Sequence, residues 1–289
     1  MTAATSVVNV YGLEVWSGSR RDVAWGLSAS DHVISDCHQT ARYVEAEKKR
    51  REGSTAVVLD CVDLERFAPG AANPRVLERD GVPSPSSGFN ILSLGRLKHA
   101  AAHKGYDRLL EAFARVATGA PEVRLVFGGS GEIVAELRVR ADAIGVSSRV
   151  FLTGAIHDDD LPHIFRAAHV FSLISDRGKR RGEGIPLTPL GAAACGIPIL
   201  VGNQVGSQDA VVECANGYIL DPFDLDSLTT RIERLLREPE RLARLGRAAS
   251  SRIEQEFSFT NFRDKHRALS SAWCPGGRIG VAPTETRAL

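Results

Sequence analysis

The chain has no excess of charge, no long apolar run and no paired-cysteine motif. Its 36 basic and 35 acidic residues leave a formal net charge of +1 over 289 residues, so no global field points to nucleic acid as the main partner. No apolar run approaches the ~18 residues that a spanning helix needs. Met1-Thr2-Ala3-Ala4-Thr5-Ser6 lacks the basic start and apolar core of a secretory leader. Cys37, Cys61, Cys195, Cys214 and Cys274 form no C-x-x-C pair, which fits a reducing compartment. The expectation is a cytoplasmic protein. There is also no internal repeat and no complete G-x-G-x-x-G: after Gly129-Ser130-Gly131, Val134 stands where the third glycine would fall. That argues against a dinucleotide oxidoreductase. His99 and His103 sit four apart without a third ligand nearby. His157-Asp158-Asp159-Asp160 reads as a helix cap with an acidic first turn before Leu161. No metal site is expected.

What is present is an ordinary globular composition, 43% hydrophobic and 25% charged, in a chain long enough for one large or two medium domains. From Phe89 onward, short apolar runs alternate with amphipathic helical patterns. The strand candidates are Asn90–Leu94, Val123–Phe127, Val150–Leu152, Val170–Ile174 and Pro198–Val201. Leu109, Leu110, Phe113 and Val116 share one helical face, as do Leu225, Leu228, Ile232, Leu235 and Leu236. Apolar strands alternating with helices predict parallel pairing in a doubly wound α/β sheet, with ligands at the carboxyl ends of the strands. Upstream, Asp31–Ser35 and Thr55–Leu59 read as strands around a helix over Thr40–Arg50. Two or three strands do not readily stand alone, so residues 1–67 read as part of a domain. The expected divisions are 1–67, a Pro- and Gly-rich linker at 68–88, a complete α/β domain at 89–258, a helix at 259–273 returning toward the N-terminal part, and a frayed tail at 274–289.

The most informative stretch is Gly182-Glu183-Gly184-Ile185-Pro186-Leu187-Thr188-Pro189-Leu190-Gly191, running on to Cys195-Gly196-Ile197-Pro198. It reads as a glycine-bracketed loop with one acid, a helix entered at Thr188-Pro189 as N-cap and first residue, and a turn into an apolar strand. Such an entry offers unpaired N–H groups and the positive end of a helix dipole, where a phosphate can sit. Glu183, just before it, is placed to accept hydrogen bonds from sugar hydroxyls. The nearby basic run Arg177, Lys179, Arg180 and Arg181 reads either as a solvated face or as a cover over that phosphate.

This spacing resembles the nucleotide-sugar site of GT-B glycosyltransferases, specifically the retaining family 4, also called glycosyl transferases group 1. The resemblance extends over most of residues 31–272. It implies that Arg96 and Lys104 bind the donor diphosphate, that the Gly128–Gly131 turn follows the second donor-domain strand, and that the backbone of Gly154-Ala155-Ile156 meets the base. It further implies that Glu183 holds hydroxyls of the transferred sugar, that Gly184 and Ile185 offer N–H groups to phosphate, and that Leu187 and position 191 complete the nucleotide contacts. Three departures stand out. Relatives carry a second glutamate eight positions after the first, for the ribose; here it is Gly191. The loop between Arg96 and Lys104 is longer than usual, which makes Lys98 an alternative cation. The N-terminal part starts mid-domain, with Tyr11 before Gly12 where relatives often have histidine.

The resemblance implies a partial acceptor-side Rossmann-like domain before a complete donor domain. The implied reaction transfers a sugar, with retention and without a metal, from a UDP- or GDP-linked donor to an acceptor hydroxyl on a polysaccharide, a lipid-linked molecule or a small molecule. Peripheral membrane contact is left open, and no other cofactor is implied. The alternative is a shortened chain that binds nucleotide or serves as a partner subunit without turnover. A third reading has an upstream start or a separate chain supplying the missing part.

Overall fold

The computed structural model describes residues 5–16, 21–47, 50–178 and 183–274. Lys179, Arg180, Arg181, Gly182 and all of the expected tail after Cys274 lie outside the described residues. Two parallel sheets organise the chain. The first is built from β1 (Val7–Val10), β2 (His32–Ser35) and β3 (Thr55–Val57) in the order β1-β2-β3, with α1 (Leu13–Trp16), α2 (Arg21–Ala29) and α3 (His38–Glu47) between the strands. β1 is only four residues long and contains Asn9, so its apolar pattern is too short to announce a strand. The small core here is Val10, Val15, Trp16, Leu27, Val33 and Val44.

The Pro- and Gly-rich stretch that follows is ordered. Asn73 caps α4 (Pro74–Arg79) by accepting from the Arg75 N–H at 3.1 Å, and Pro74 occupies the first turn, where a missing N–H costs nothing. Val76, Leu77 and Val82 join the main core.

The second sheet begins with β4 (Phe89–Leu94). In chain order come α5 (Tyr106–Gly119), β5 (Val123–Gly128), α6 (Val134–Ala143), β6 (Val150–Leu152), α7 (Leu161–Arg166), β7 (Val170–Leu173), α8 (Leu187–Ala194), β8 (Ile199–Gly202) and β9 (Gly217–Leu220). The strand order is β6-β5-β4-β7-β8-β9, all parallel. This is the doubly wound order, and its switch point lies between β4 and β7. β4 and β7 are buried along their whole length, as strands covered on both faces must be.

α9 (Leu225–Arg237) carries the expected apolar face, capped by Asp224 and burying Leu228, Ile232 and Leu235, and α10 (Pro239–Glu256) follows it. Ser258 caps α11 (Phe259–Trp273) and accepts from the Asn261 N–H at 3.3 Å. This helix returns to the first sheet: Trp273 stacks on His32 with centroids 4.1 Å apart, and the Val62 N–H donates to the Phe257 carbonyl at 2.8 Å. Among the described residues no helix is long and apolar enough to cross a membrane.

Candidate active site

The carboxyl ends of β4 and β7 open onto one cleft. β4 runs into Gly95-Arg96-Leu97, and the glycine turn after β5 is pressed against that backbone. Gly129 has φ 124°, and a Cβ there would collide with the Gly95 carbonyl oxygen. Only glycine satisfies both the dihedral and the contact. The Gly129 N–H donates to the Gly154 carbonyl at 2.9 Å, joining this turn to the segment after β6.

These segments enclose a cavity of about 380 Å³. Arg96, Ala155, Ile156, Leu187 and Gly191 line it, together with apolar side chains that include Leu94, Leu161 and Phe165. Asp158, Cys61 and Val62 also reach it, so the chain leaving the first sheet forms part of its wall.

Beyond the cavity, Lys104 and Glu183 form an ion pair through Nζ and Oε1. The turn over His99–Lys104 holds the lysine buried, and the Asp176 N–H donates to the His103 carbonyl at 2.8 Å, pinning that turn to the end of β7. The other Glu183 oxygen accepts from the Ser175 hydroxyl at 3.3 Å and lies 3.9 Å from His103 Nε2. His99 turns elsewhere, to Glu136 at 3.0 Å. Tyr106 lies behind both groups. Burial pushes its phenol well above the ordinary value, the Glu183 charge adds to that, and the Arg96 charge opposes it. Lys98 is exposed while Lys104 is at the acid.

Several expectations change. α8 starts at Leu187 with Pro186 as N-cap, and no side chain caps it. Thr188 therefore lies inside the first turn, with Pro189 next to it, where its missing N–H is one the helix leaves unpaired anyway. Glu183 is paired with Lys104; Lys179, Arg180 and Arg181 of the basic run lie outside the described residues. The Ile185 N–H, expected to face phosphate, donates to Asp36 Oδ2 at 2.9 Å. A Cβ on Gly191 would come within 2.9 Å of the Phe165 ring edge, and Phe165 is 2% exposed. The space beside position 191 is thus filled by an aromatic ring.

Asp36 was not visible as a site residue. It follows β2 directly and is 4% exposed. Burial pushes its carboxyl up to about 7, its bond from the Ile185 N–H pulls it down, and the charges of Asp60 and Glu14 push it up further. Its place at the carboxyl end of a parallel strand was the one signal available.

Comparison with known proteins follows the same outline. A family profile described as glycosyl transferases group 1 matches residues 77–252. The chain belongs to that family. It is 32% identical over 191 residues to a GDP-mannose-dependent alpha-(1-6)-phosphatidylinositol monomannoside mannosyltransferase of Mycolicibacterium smegmatis, covering 64% of this chain and 48% of the relative. It is 30% identical over 217 residues to mannosylfructose-phosphate synthase of Agrobacterium fabrum, covering 72% of this chain and 45% of the relative. The chain thus spans about half the length of the curated relatives it matches. Among solved structures, sucrose-phosphate synthase from Thermosynechococcus elongatus superposes with a TM-score of 0.75 at 22% identity, covering 92% of this chain and 68% of that one. Anabaena HepE in complex with UDP-glucose also gives 0.75, at 21% identity, with 92% and 72% covered. At these identities the superpositions speak for the GT-B fold.

Proposed function

We propose that this group 1 glycosyl transferase chain binds a nucleotide-sugar donor at the β4/β7 switch point and transfers its sugar, with retention, to an acceptor hydroxyl. The observation that carries the reading is the convergence of Arg96 at the cavity with the Lys104–Glu183 pair beside it, its lysine buried and its acid half-buried. In this reading the nucleoside enters the apolar cavity against Ala155 and Ile156. Arg96 and Lys104 face the diphosphate, Arg96 as a two-pronged donor and Lys104 as a movable point charge. Negative charge builds on the leaving diphosphate as the glycosidic bond breaks, and fixed cations are placed to stabilise it without a metal. Glu183 accepts from sugar hydroxyls. The acceptor attacks from the face that the diphosphate leaves, and a diphosphate oxygen takes its proton. The first sheet and α11 form the acceptor side.

Guanine is the favoured base. Asp158 lines the cavity, and a carboxylate can only accept hydrogen bonds; the guanine edge presents adjacent N1–H and N2–H donors, whereas uracil presents one N–H between two carbonyls. The GDP-mannose dependence named for the mycobacterial relative supports the same choice. A second reading, nucleotide binding without turnover, is favoured by one feature: beside Gly191 a phenyl ring stands where a ribose-binding acid would project.

Calorimetric titration with GDP, UDP and ADP in excess chelator tests the reading. GDP binding in the micromolar range, stronger than UDP and ADP, is expected; a folded protein that binds none of them at millimolar concentration overturns it. Sugar transfer from GDP-mannose, with the anomeric configuration of the product read by NMR, separates the transferase from the binding-only alternative.

A further inference from the structure

The segment that carries Glu183 does not rest on its own domain alone. Gly184 is wedged against the carboxyl ends of β1 and β2: a Cβ on it would collide with both the Tyr11 carbonyl oxygen and the Asp36 carboxylate. The neighbouring Ile185 N–H donates to Asp36 Oδ2 at 2.9 Å, a contact between residues 149 positions apart. From the opposite side the turn over Gly206–Ala210 closes on the same residues. A Cβ on Gly206 would approach the Gly184 carbonyl to 2.6 Å, and the Gly206 N–H donates to the Glu183 carbonyl at 3.3 Å. Close by, the Arg177 guanidinium lies 4.9 Å from the Trp16 ring centre and 5.3 Å from that of Tyr43, and those two rings stack at 4.0 Å.

We infer that Asp36 is a positioning residue for the donor site: by holding the Ile185 N–H it seats Gly184 on the first sheet and so aims the Glu183 carboxylate at Lys104 and Ser175. This rests on the proposed donor site, and it assigns to the N-terminal unit a part in binding the sugar end of the donor, apart from any role toward the acceptor. Burial explains why the bond is firm. The acceptor is a carboxylate removed from water, and a backbone N–H left unpaired there would lose its only partner. No other acceptor for the Ile185 N–H is found among the described residues. The geometry also fixes what may replace Asp36. Asparagine keeps an acceptor oxygen at the same reach, whereas alanine keeps none.

The test uses the full chain. Amide hydrogen exchange at Ile185 is followed in wild type, Asp36→Asn and Asp36→Ala, with the buried strand amides of Val33 and Leu125 as internal standards. GDP-mannose affinity is measured on the same proteins. Asp36→Ala is expected to speed exchange at Ile185 by about a hundredfold, leave the standards protected, and weaken GDP-mannose by about tenfold or more. These sizes follow from leaving a buried N–H without its partner. Asp36→Asn is expected to keep most of both properties. If Asp36→Ala does not fold, Gly184→Ala perturbs the same seat from the other side and is expected to expose the Ile185 amide likewise. Unchanged exchange at Ile185 in the perturbed variant overturns the inference. So does GDP-mannose affinity that stays equal or rises, since Asp36 would then be idle or a competitor of the donor. Failure of wild type to bind GDP-mannose counts against the proposed donor alone; the exchange rates still decide the role of Asp36.

Discussion

The two sheets of this chain are built to different standards. The six-stranded sheet is covered on both faces and has a large core in which Phe113, Phe127, Phe165 and Phe171 are buried. The three-stranded sheet has a core of six residues and leaves Trp25 72% exposed on its neighbouring helix. The first can hold a site by its own packing; the second is held in part by α11 and by the segment it seats at Gly184. The contrast teaches that the candidate site takes its cations and most of its cavity wall from the strong region, and the support of its acid from the weak one.

The largest expected effect separates the two cores. Phe171→Ala, in the centre of the large sheet, is expected to cost about 3–5 kcal/mol in urea unfolding, while Leu27→Ala in the small core is expected at the low end of about 2–5 kcal/mol. A small-core variant as damaging as Phe171→Ala would mean that the N-terminal unit is as tightly integrated as the rest. Next, Arg96→Ala is expected to weaken GDP by about ten- to hundredfold, or ~1.5–3 kcal/mol, and to leave the free nucleoside nearly unaffected. Equal GDP affinity in calorimetry would move the phosphate site away from β4.

A third test concerns pH. An unperturbed Asp36 carboxyl releases its proton near 3.8 and the folded one near 7. Between those values the unfolded chain binds fewer protons than the folded one, so this group lowers stability as pH rises and has no such effect below the lower value. Asp36→Asn should therefore raise stability at pH 8, by up to ~4 kcal/mol, and by nothing at pH 3. Thermal melts showing the gain at low pH instead would contradict the burial of the charge. The smallest effect belongs to Gly191→Ala. The gain in helix propensity, ~1 kcal/mol, is expected to be outweighed by crowding against Phe165. Melting should fall by a few degrees, and Phe165→Leu in the same chain should recover it.

Much of the large sheet was legible because its strands are short apolar runs bounded by turn residues: the expected Val150–Leu152 strand is the observed β6, and β4, β5 and β7 differ by a residue at one end. The capped helix after Ser258 was legible for the same local reason. What escaped depends on distance along the chain. Nothing near Gly191 in sequence announces Phe165, and nothing near Ile185 announces Asp36. The start of α8 was misplaced because Thr188-Pro189 is a good helix entry in isolation, while Pro186 already fixes the turn one residue ahead of Leu187. Arg96, Lys104 and Glu183 could be singled out from a motif; that Lys104 and Glu183 would pair with each other could not.

The central claim is that the cavity with Arg96 holds the nucleotide end of the donor while Glu183, seated by the N-terminal sheet, holds the sugar end. The direct measurement is calorimetry of wild type, Arg96→Ala and Glu183→Gln with GDP and with GDP-mannose. The account predicts that Arg96→Ala weakens both ligands alike. Glu183→Gln should weaken GDP-mannose by about tenfold while GDP binds at least as tightly as before, because Lys104 loses its competing carboxylate. A Glu183→Gln protein that loses GDP as strongly as Arg96→Ala does would contradict the division of the site.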